Sequence, residues 1–123
     1  MKLKHITATL LLFPLFSNAT SFIDLEAKNK VDTASEAGKK YEQQAAQAFL
    51  NENNFIKTCF SGQPTTPDPI KIYFEVTPQG TLGELKMDPD GDTAQCIKKN
   101  LKPINFPKPE TTFIAKISLQ FRN

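Results

Sequence analysis

Two stretches of this chain alternate apolar and polar residues with the period of two that is typical of β-strands. In residues 70–77 one set of side chains is expected to face the core: Ile70, Ile72, Phe74 and Val76. In residues 111–122 the corresponding set is Phe113, Ala115, Ile117, Leu119 and Phe121. A turn at residues 78–80, with Gly80 available for a positive φ, leads from the first strand into a weaker strand over residues 81–87. The pattern therefore predicts a β-hairpin and one further strand.

Helical spacing of apolar residues precedes the hairpin and follows it. Thr33 and Glu36 match a capping box. The residues that recur after them at helical spacing, with Glu52 as the one polar interruption of the apolar stripe, are Tyr41, Ala45, Ala48, Phe49, Glu52, Phe55 and Ile56. Poor helix formers at residues 51–54 predict a break, after which a helical turn resumes and reaches Cys59. A second capping pair, Asp92 with Gln95, opens a short helix that Pro103 ends. The order α-β-β-α-β predicts an α+β fold, a small two-layer sandwich with two helices on a three-stranded antiparallel sheet.

The first nineteen residues have the form of a cleavable signal peptide. Lys2 and Lys4 precede an apolar run over residues 6–16, and small residues at 17 and 19 fit a cleavage site after Ala19. An uncleaved anchor is the alternative, although the run is shorter than the roughly 20 residues that a membrane span needs. We therefore expect an exported chain without membrane insertion, in which a flexible arm at residues 20–32 precedes one domain at residues 33–123.

Charge and composition narrow the classes of function. Loss of Lys2 and Lys4 with the signal peptide leaves 13 basic residues against 13 acidic ones. This balance, without a basic stripe that carries aromatic residues, argues against nucleic-acid binding. His5 is the single histidine and departs with the signal peptide, so that no Ser-His or Cys-His pair remains. These features predict a non-enzymatic protein without a cofactor.

Two groups of residues are candidate sites. Cys59 and Cys96 in an exported chain favour one disulfide, with two free thiols or a metal-binding pair as the alternatives. The bond would close a loop of about 38 residues, which the loop-entropy argument values at about 4 kcal/mol. The acidic residues at 88–92 could bind Ca²⁺, but Gly91 and Lys99 do not fit an EF-hand, and we expect a turn there and no metal site.

The stretch from Cys59 to Phe121 resembles the C-terminal domain of the TonB family. It is most similar to the cysteine-containing branch at the ends of AgmX/PglI-type gliding-motility proteins. The resemblance rests on Cys59 before the first strand, the hairpin at residues 72–82, Cys96 in a short helix and Phe106-Pro107-Lys108-Pro109 before the last strand. It implies two helices on a three-stranded sheet, a Cys59–Cys96 bond and a protein-binding role. Energy transducers of that family carry a membrane anchor and a Pro-rich spacer, which a signal peptide and one helix replace here.

These observations predict an exported binding or adaptor domain in the periplasm or secretome of a Gram-negative bacterium. The expected partner is another envelope or secreted protein, bound by strand addition, or a second copy of the chain. The candidate partner-binding edge belongs to the last strand and comprises Ile114, Lys116, Ser118, Gln120 and Arg122. The alternatives are a small secreted effector or hydrolase that uses carboxylates, and a self-associating component of an envelope assembly.

Overall fold

The structure, a computed structural model, describes residues 21–53, 56–60 and 69–120. The predicted signal peptide, Phe55, Phe121 and Arg122 lie outside the described residues. The elements in chain order are α1 (Phe22–Asp32), α2 (Glu36–Glu52), α3 (Ile56–Cys59), β1 (Ile70–Val76), β2 (Leu82–Asp88), α4 (Asp92–Lys99) and β3 (Phe113–Leu119). The predicted α+β class and the three-stranded antiparallel sheet are confirmed.

β1 is the central strand of the sheet, whose order is β2-β1-β3, and both of its neighbours are antiparallel to it. The predicted alternation is confirmed, because Ile70, Ile72, Phe74 and Val76 are all buried in the main core. Phe74 lies at the centre of this core, where its ring stacks on Phe49 of α2 at 4.9 Å and on Phe106 at 5.5 Å between ring centroids. This face of the sheet carries α2, α3 and α4.

The predicted break after the long helix is also present. α2 ends at Glu52, and the side chain of the fully buried Asn53 replaces part of the lost helical bonding. Its Nδ2 donates to the carbonyl of Phe49 at 2.9 Å, and its Oδ1 accepts from the backbone N–H of Lys102 at 2.9 Å. One amide side chain thus provides a hydrogen-bond donor for a carbonyl in the last turn of α2 and holds the segment that follows α4.

The Cys59–Cys96 disulfide is confirmed and joins α3 to α4, with 5.7 Å between the two Cα atoms. Ala94 and Ile97 of α4 are fully buried in the main core beside the bond. The bond therefore closes a covalent loop around the β1–β2 hairpin. None of the helices in the described ranges has the length and apolar character to cross a membrane.

The segment predicted as a flexible arm is helix α1, and the expectation of a flexible arm is wrong for the part that is described. Ser21 and Asp24 form a reciprocal capping box at its start, with both hydrogen bonds at 3.2 Å. Leu25 then packs against Tyr73 and Ile114 in a separate cluster on the second face of the sheet. The two-layer sandwich thereby gains a helix on its other side.

Two predicted caps are replaced by neighbouring residues. Ser35, not Thr33, caps α2 by accepting from the backbone N–H of Gly38 at 3.0 Å. Thr33 instead ends α1, and its hydroxyl donates to the carbonyl of Asn29 at 2.7 Å. At α4 the N-cap is Gly91, which has no side chain, so the expected Asp92 cap is wrong and Asp92 lies in the first turn.

A connector over residues 101–112 leads from α4 to β3 and packs against the hairpin turn. Gly80 adopts φ +82°, as expected for this turn, and its carbonyl accepts from the backbone N–H of Phe106 at 3.0 Å. A Cβ at Gly80 would lie 2.6 Å from the carbonyl oxygen of Phe106, so only glycine fits this approach. Tyr41 of α2 reaches the same connector, where its hydroxyl donates to the carbonyl of Pro107.

Candidate partner-binding edge

β3 is an outer strand, paired on one side with β1. Backbone groups of successive residues in a strand point alternately to its two sides. Hydrogen bonds from Ile114 and Lys116 leave the sheet on the side away from β1. The even-numbered residues of β3 therefore carry the outward groups, and the odd-numbered ones bond to β1.

Side chains of two helices engage the outward groups in the N-terminal half of β3. The N–H of Ile114 donates to Asp32 Oδ2 at 2.9 Å, and its carbonyl accepts from Asn29 Nδ2 at 2.8 Å. The N–H of Lys116 donates to Glu42 Oε2 at 2.9 Å. We call the group formed by Lys28, Asn29, Asp32 and Glu42 the edge clasp.

The edge clasp is internally connected. Asn29 is buried, and its Nδ2 also donates to Glu42 Oε2 at 2.7 Å, so that α1 and α2 are linked across the edge of the sheet. Lys28 pairs with both carboxylate oxygens of Asp32 at 2.7 Å and donates to the carbonyl of Thr112 at 3.3 Å. The clasp thus satisfies strand groups that would otherwise require a neighbouring strand or water.

The C-terminal half of the edge differs. Ser118 and Gln120 are exposed, and Lys116 is half-buried. Within residues 21–53, 56–60 and 69–120 no hydrogen bond reaches the outward carbonyl of Lys116 or the outward N–H and carbonyl of Ser118. We call residues 116–120 the open edge.

The predicted set of edge residues is therefore divided. Lys116, Ser118 and Gln120 lie on the open edge, and Arg122 lies outside the described residues. Ile114 is a correction to the set, because its side chain is buried under α1 and both of its backbone groups are bound by the clasp. The sequence signal for this was the apolar character of Ile114 itself, which indicated a covered second face.

The other outer strand, β2, is less regular. A β-bulge interrupts its pairing with β1 between Phe74 and Val76, and the carboxylate of Glu75 there accepts from the backbone N–H of Glu84 at 3.2 Å. A bulge and charged residues are devices that protect a sheet edge from pairing. This contrast favours β3 over β2 as the edge for a partner.

Tyr73 and Glu26 form the polar margin of the contact between α1 and the sheet. The Tyr73 hydroxyl donates to Glu26 Oε2 at 3.4 Å, and the Tyr73 ring meets Phe22 edge-on at 5.0 Å between centroids. Burial raises the pKa of Tyr73 above its ordinary value, and the nearby charge of Glu26 raises it further. Tyr73 therefore stays protonated throughout the neutral range.

The acidic residues at 88–92 form a turn stabilised by neighbours from α4. Asp90 accepts from Gln95 Nε2 at 2.8 Å and pairs with Lys98 Nζ at 3.2 Å. In the part of the chain that the structure describes, no group of three or more His, Cys, Asp or Glu residues is arranged to hold a metal ion.

Comparison with known proteins returns no relative. No protein-family model matches this chain, and neither a curated protein nor a solved structure does. The resemblance to the TonB C-terminal domain stays a prediction.

Proposed function

We propose that this chain is an exported, non-enzymatic binding module that takes an extended segment of a partner protein along the open edge of β3. The observation that carries the proposal is the row of three outward backbone groups, the carbonyl of Lys116 and the N–H and carbonyl of Ser118, to which no hydrogen bond is made within the described residues. Such a row binds a partner strand through main-chain hydrogen bonds. The Cys59–Cys96 disulfide supports export, because disulfides persist in oxidising compartments such as the periplasm.

The open edge sets the strength of this interaction. The carbonyl of Lys116 and the two backbone groups of Ser118 offer about three hydrogen bonds, each with a net value of about 1 kcal/mol. A total of about 3 kcal/mol corresponds to a dissociation constant of several millimolar at best, because the entropic cost of association weakens binding further before side-chain contacts are added. The proposed module is therefore a transient binder at this segment alone.

The test removes one backbone donor from the open edge and controls separately for the loss of the side chain. Ser118→Pro deletes the outward N–H, whereas Ser118→Ala deletes the hydroxyl and keeps that N–H, so the pair isolates the backbone contribution. With the disulfide-bonded protein as bait in periplasmic and culture-medium fractions, we expect a partner that wild type and Ser118→Ala capture and Ser118→Pro loses. Light scattering on the same proteins identifies a second copy of the chain as the partner if the mass halves with Ser118→Pro.

Two further variants are controls for the assigned orientation of β3. Ala115→Pro removes an inward N–H that bonds to β1, and Ile117→Asp places an unpaired charge in the core, so both should unfold the domain. Equal capture by Ser118→Pro and Ser118→Ala, with both folded, would contradict the proposed binding mode. A folded Ile117→Asp variant would mean that the faces of β3 are assigned wrongly.

A further inference from the structure

The edge clasp presents to β3 the groups that a neighbouring strand would present. Along the outer side of β3, the carbonyls of Thr112 and Ile114 receive donors from Lys28 and Asn29. The N–H groups of Ile114 and Lys116 meet carboxylate acceptors, as they would meet the carbonyls of a paired strand. The clasp thus occupies the position of a fourth strand.

Most of the clasp belongs to α1, which is attached to the sheet by few buried side chains. Of its 11 residues, Leu25 and Asn29 are buried, and Ile23 and Val31 are 72% and 70% exposed. Leu25 contributes to a separate cluster with Tyr73 and Ile114, and no residue of α1 belongs to the main core. α1 can therefore leave the sheet while the main core stays closed.

We propose that the whole outer side of β3, residues 112–120, is a binding site for an extended partner segment, and that α1 closes its N-terminal half in the free protein as a displaceable helix. This inference rests on the proposed function, since it gives the partner the same strand. The half-buried Glu42 belongs to α2, and its side chain would turn towards solvent when Lys116 bonds to the partner.

The chemistry of the covered surface defines the partner. Departure of α1 uncovers Tyr73 and Ile114, which Leu25 covers in the free protein. A partner strand places alternate side chains on that face. The fitting partner is therefore an extended protein segment of about nine residues, apolar at alternate positions, whose apolar side chains replace Leu25.

Hydrogen exchange on the full disulfide-bonded chain tests whether α1 opens separately. The N–H of Ile114 bonds to the clasp, whereas the N–H of Phe74 bonds to β3 inside the main core, as the strand alternation requires. We expect the Ile114 amide to exchange at least about tenfold faster than the Phe74 amide. Ile97→Val, a change in the main core, should accelerate exchange at Phe74 and leave Ile114 unchanged within about twofold.

A companion variant acts on α1 itself. Leu25→Ala removes the buried anchor of the helix and should accelerate exchange at Ile114 by about tenfold or more. The inference is overturned if Ile114 and Phe74 exchange at one rate and Ile97→Val accelerates both by the same factor. That result would mean that α1 leaves only when the whole domain unfolds, and it would leave the proposed binding at the open edge intact.

Selection from a phage-displayed library of random nine-residue peptides tests the occupant. Wild type and Leu25→Ala should select peptides with alternating apolar residues, and Leu25→Ala should bind them about tenfold more tightly because α1 competes less. Bound peptide should protect the Ile114 amide and deprotect the amides of α1. Peptides that bind while α1 stays protected would overturn the inference and support the open edge alone. Recovery of no β3-binding peptide would also overturn the inference, whereas the proposed function would stand, because millimolar binding at the open edge alone does not survive selection.

Discussion

Glu42 is expected to stabilise the fold through two hydrogen bonds to one of its carboxylate oxygens. Oε2 accepts from the backbone N–H of Lys116 at 2.9 Å and from Nδ2 of Asn29 at 2.7 Å. Glu42→Ala leaves both donors without this acceptor. Hydrogen bonds to charged groups contribute about 1.5–3 kcal/mol each, and water can replace part of this because Glu42 is half-buried. We expect the free energy of unfolding to fall by about 2 kcal/mol.

Urea denaturation followed by circular dichroism measures this loss. For a domain of this size, about 2 kcal/mol corresponds to a decrease in Tm of about 8–16 °C. Glu42→Gln keeps a carbonyl oxygen that can accept both bonds and should cost less than about 1 kcal/mol. Gln43→Ala, an exposed position on the same helix, is the matched control and should be neutral within about 0.5 kcal/mol. If Glu42→Ala is as stable as Gln43→Ala, the clasp does not stabilise β3 and the reasoning about this edge is wrong.

Three further outcomes are expected. Cys59→Ser and Cys96→Ser should each lower the free energy of unfolding by up to about 4 kcal/mol. The double variant should cost little more, because the two residues act through one bond. Two alkylatable thiols in the purified protein would contradict this prediction. Gly80→Ala should cost about 2–4 kcal/mol in thermal denaturation because of its positive φ and close backbone contact. Gly91→Ala has open space around it and should cost no more than about 1 kcal/mol, the difference between Gly and Ala at an N-cap. Equal effects would refute the assigned turn. The pKa of Tyr73 is about 10 in the unfolded chain and higher in the folded protein. The resulting stabilisation is therefore fully present below about pH 10 and is lost as pH rises through the higher pKa of the folded protein. Urea midpoints from pH 8 to 11 should therefore fall less steeply for Tyr73→Phe than for wild type, and identical slopes would contradict the assignment.

The sequence alone predicts those elements whose apolar residues form one regularly spaced, buried face. Ile72 and Phe74 in β1 and Ala115 in β3 follow a period of two, and this period determines which side of the sheet meets the main core. The break after α2 was also predictable, because residues 51–54 are poor helix formers. The covalent link between α3 and α4 followed from the two cysteines once an oxidising compartment was assumed.

The second face of the sheet escaped prediction because its apolar residues are few and far apart in sequence. Leu25, Tyr73 and Ile114 belong to three different elements, so none of them forms a local pattern. The Ser21–Asp24 capping box was a readable signal for α1, but the polar composition after it resembles an unstructured arm. The edge clasp is a product of tertiary packing, since its bonds join residues separated by up to 85 positions.

The clasp also shows why an outer strand cannot be treated as uniformly available for pairing. Strand order alone left all five predicted residues as candidates, whereas the hydrogen bonds of Asp32, Asn29 and Glu42 engage the first half of β3. Side chains from helices on both faces of the sheet meet at this edge. Sequence reasoning assigned the strand and missed the side chains that cover it.

The position of the disulfide has a mechanical consequence for a protein that is pulled at its two ends. Cys59 and Cys96 are 37 positions apart, and the β1–β2 hairpin lies between them. Tension applied at the termini passes through the bond and bypasses this segment. The bypassed segment has a contour length of about 125 Å at about 3.4 Å per residue. The oxidised chain should therefore extend by that much less than the reduced chain in a single-molecule stretching experiment, and its central strand should carry no direct load.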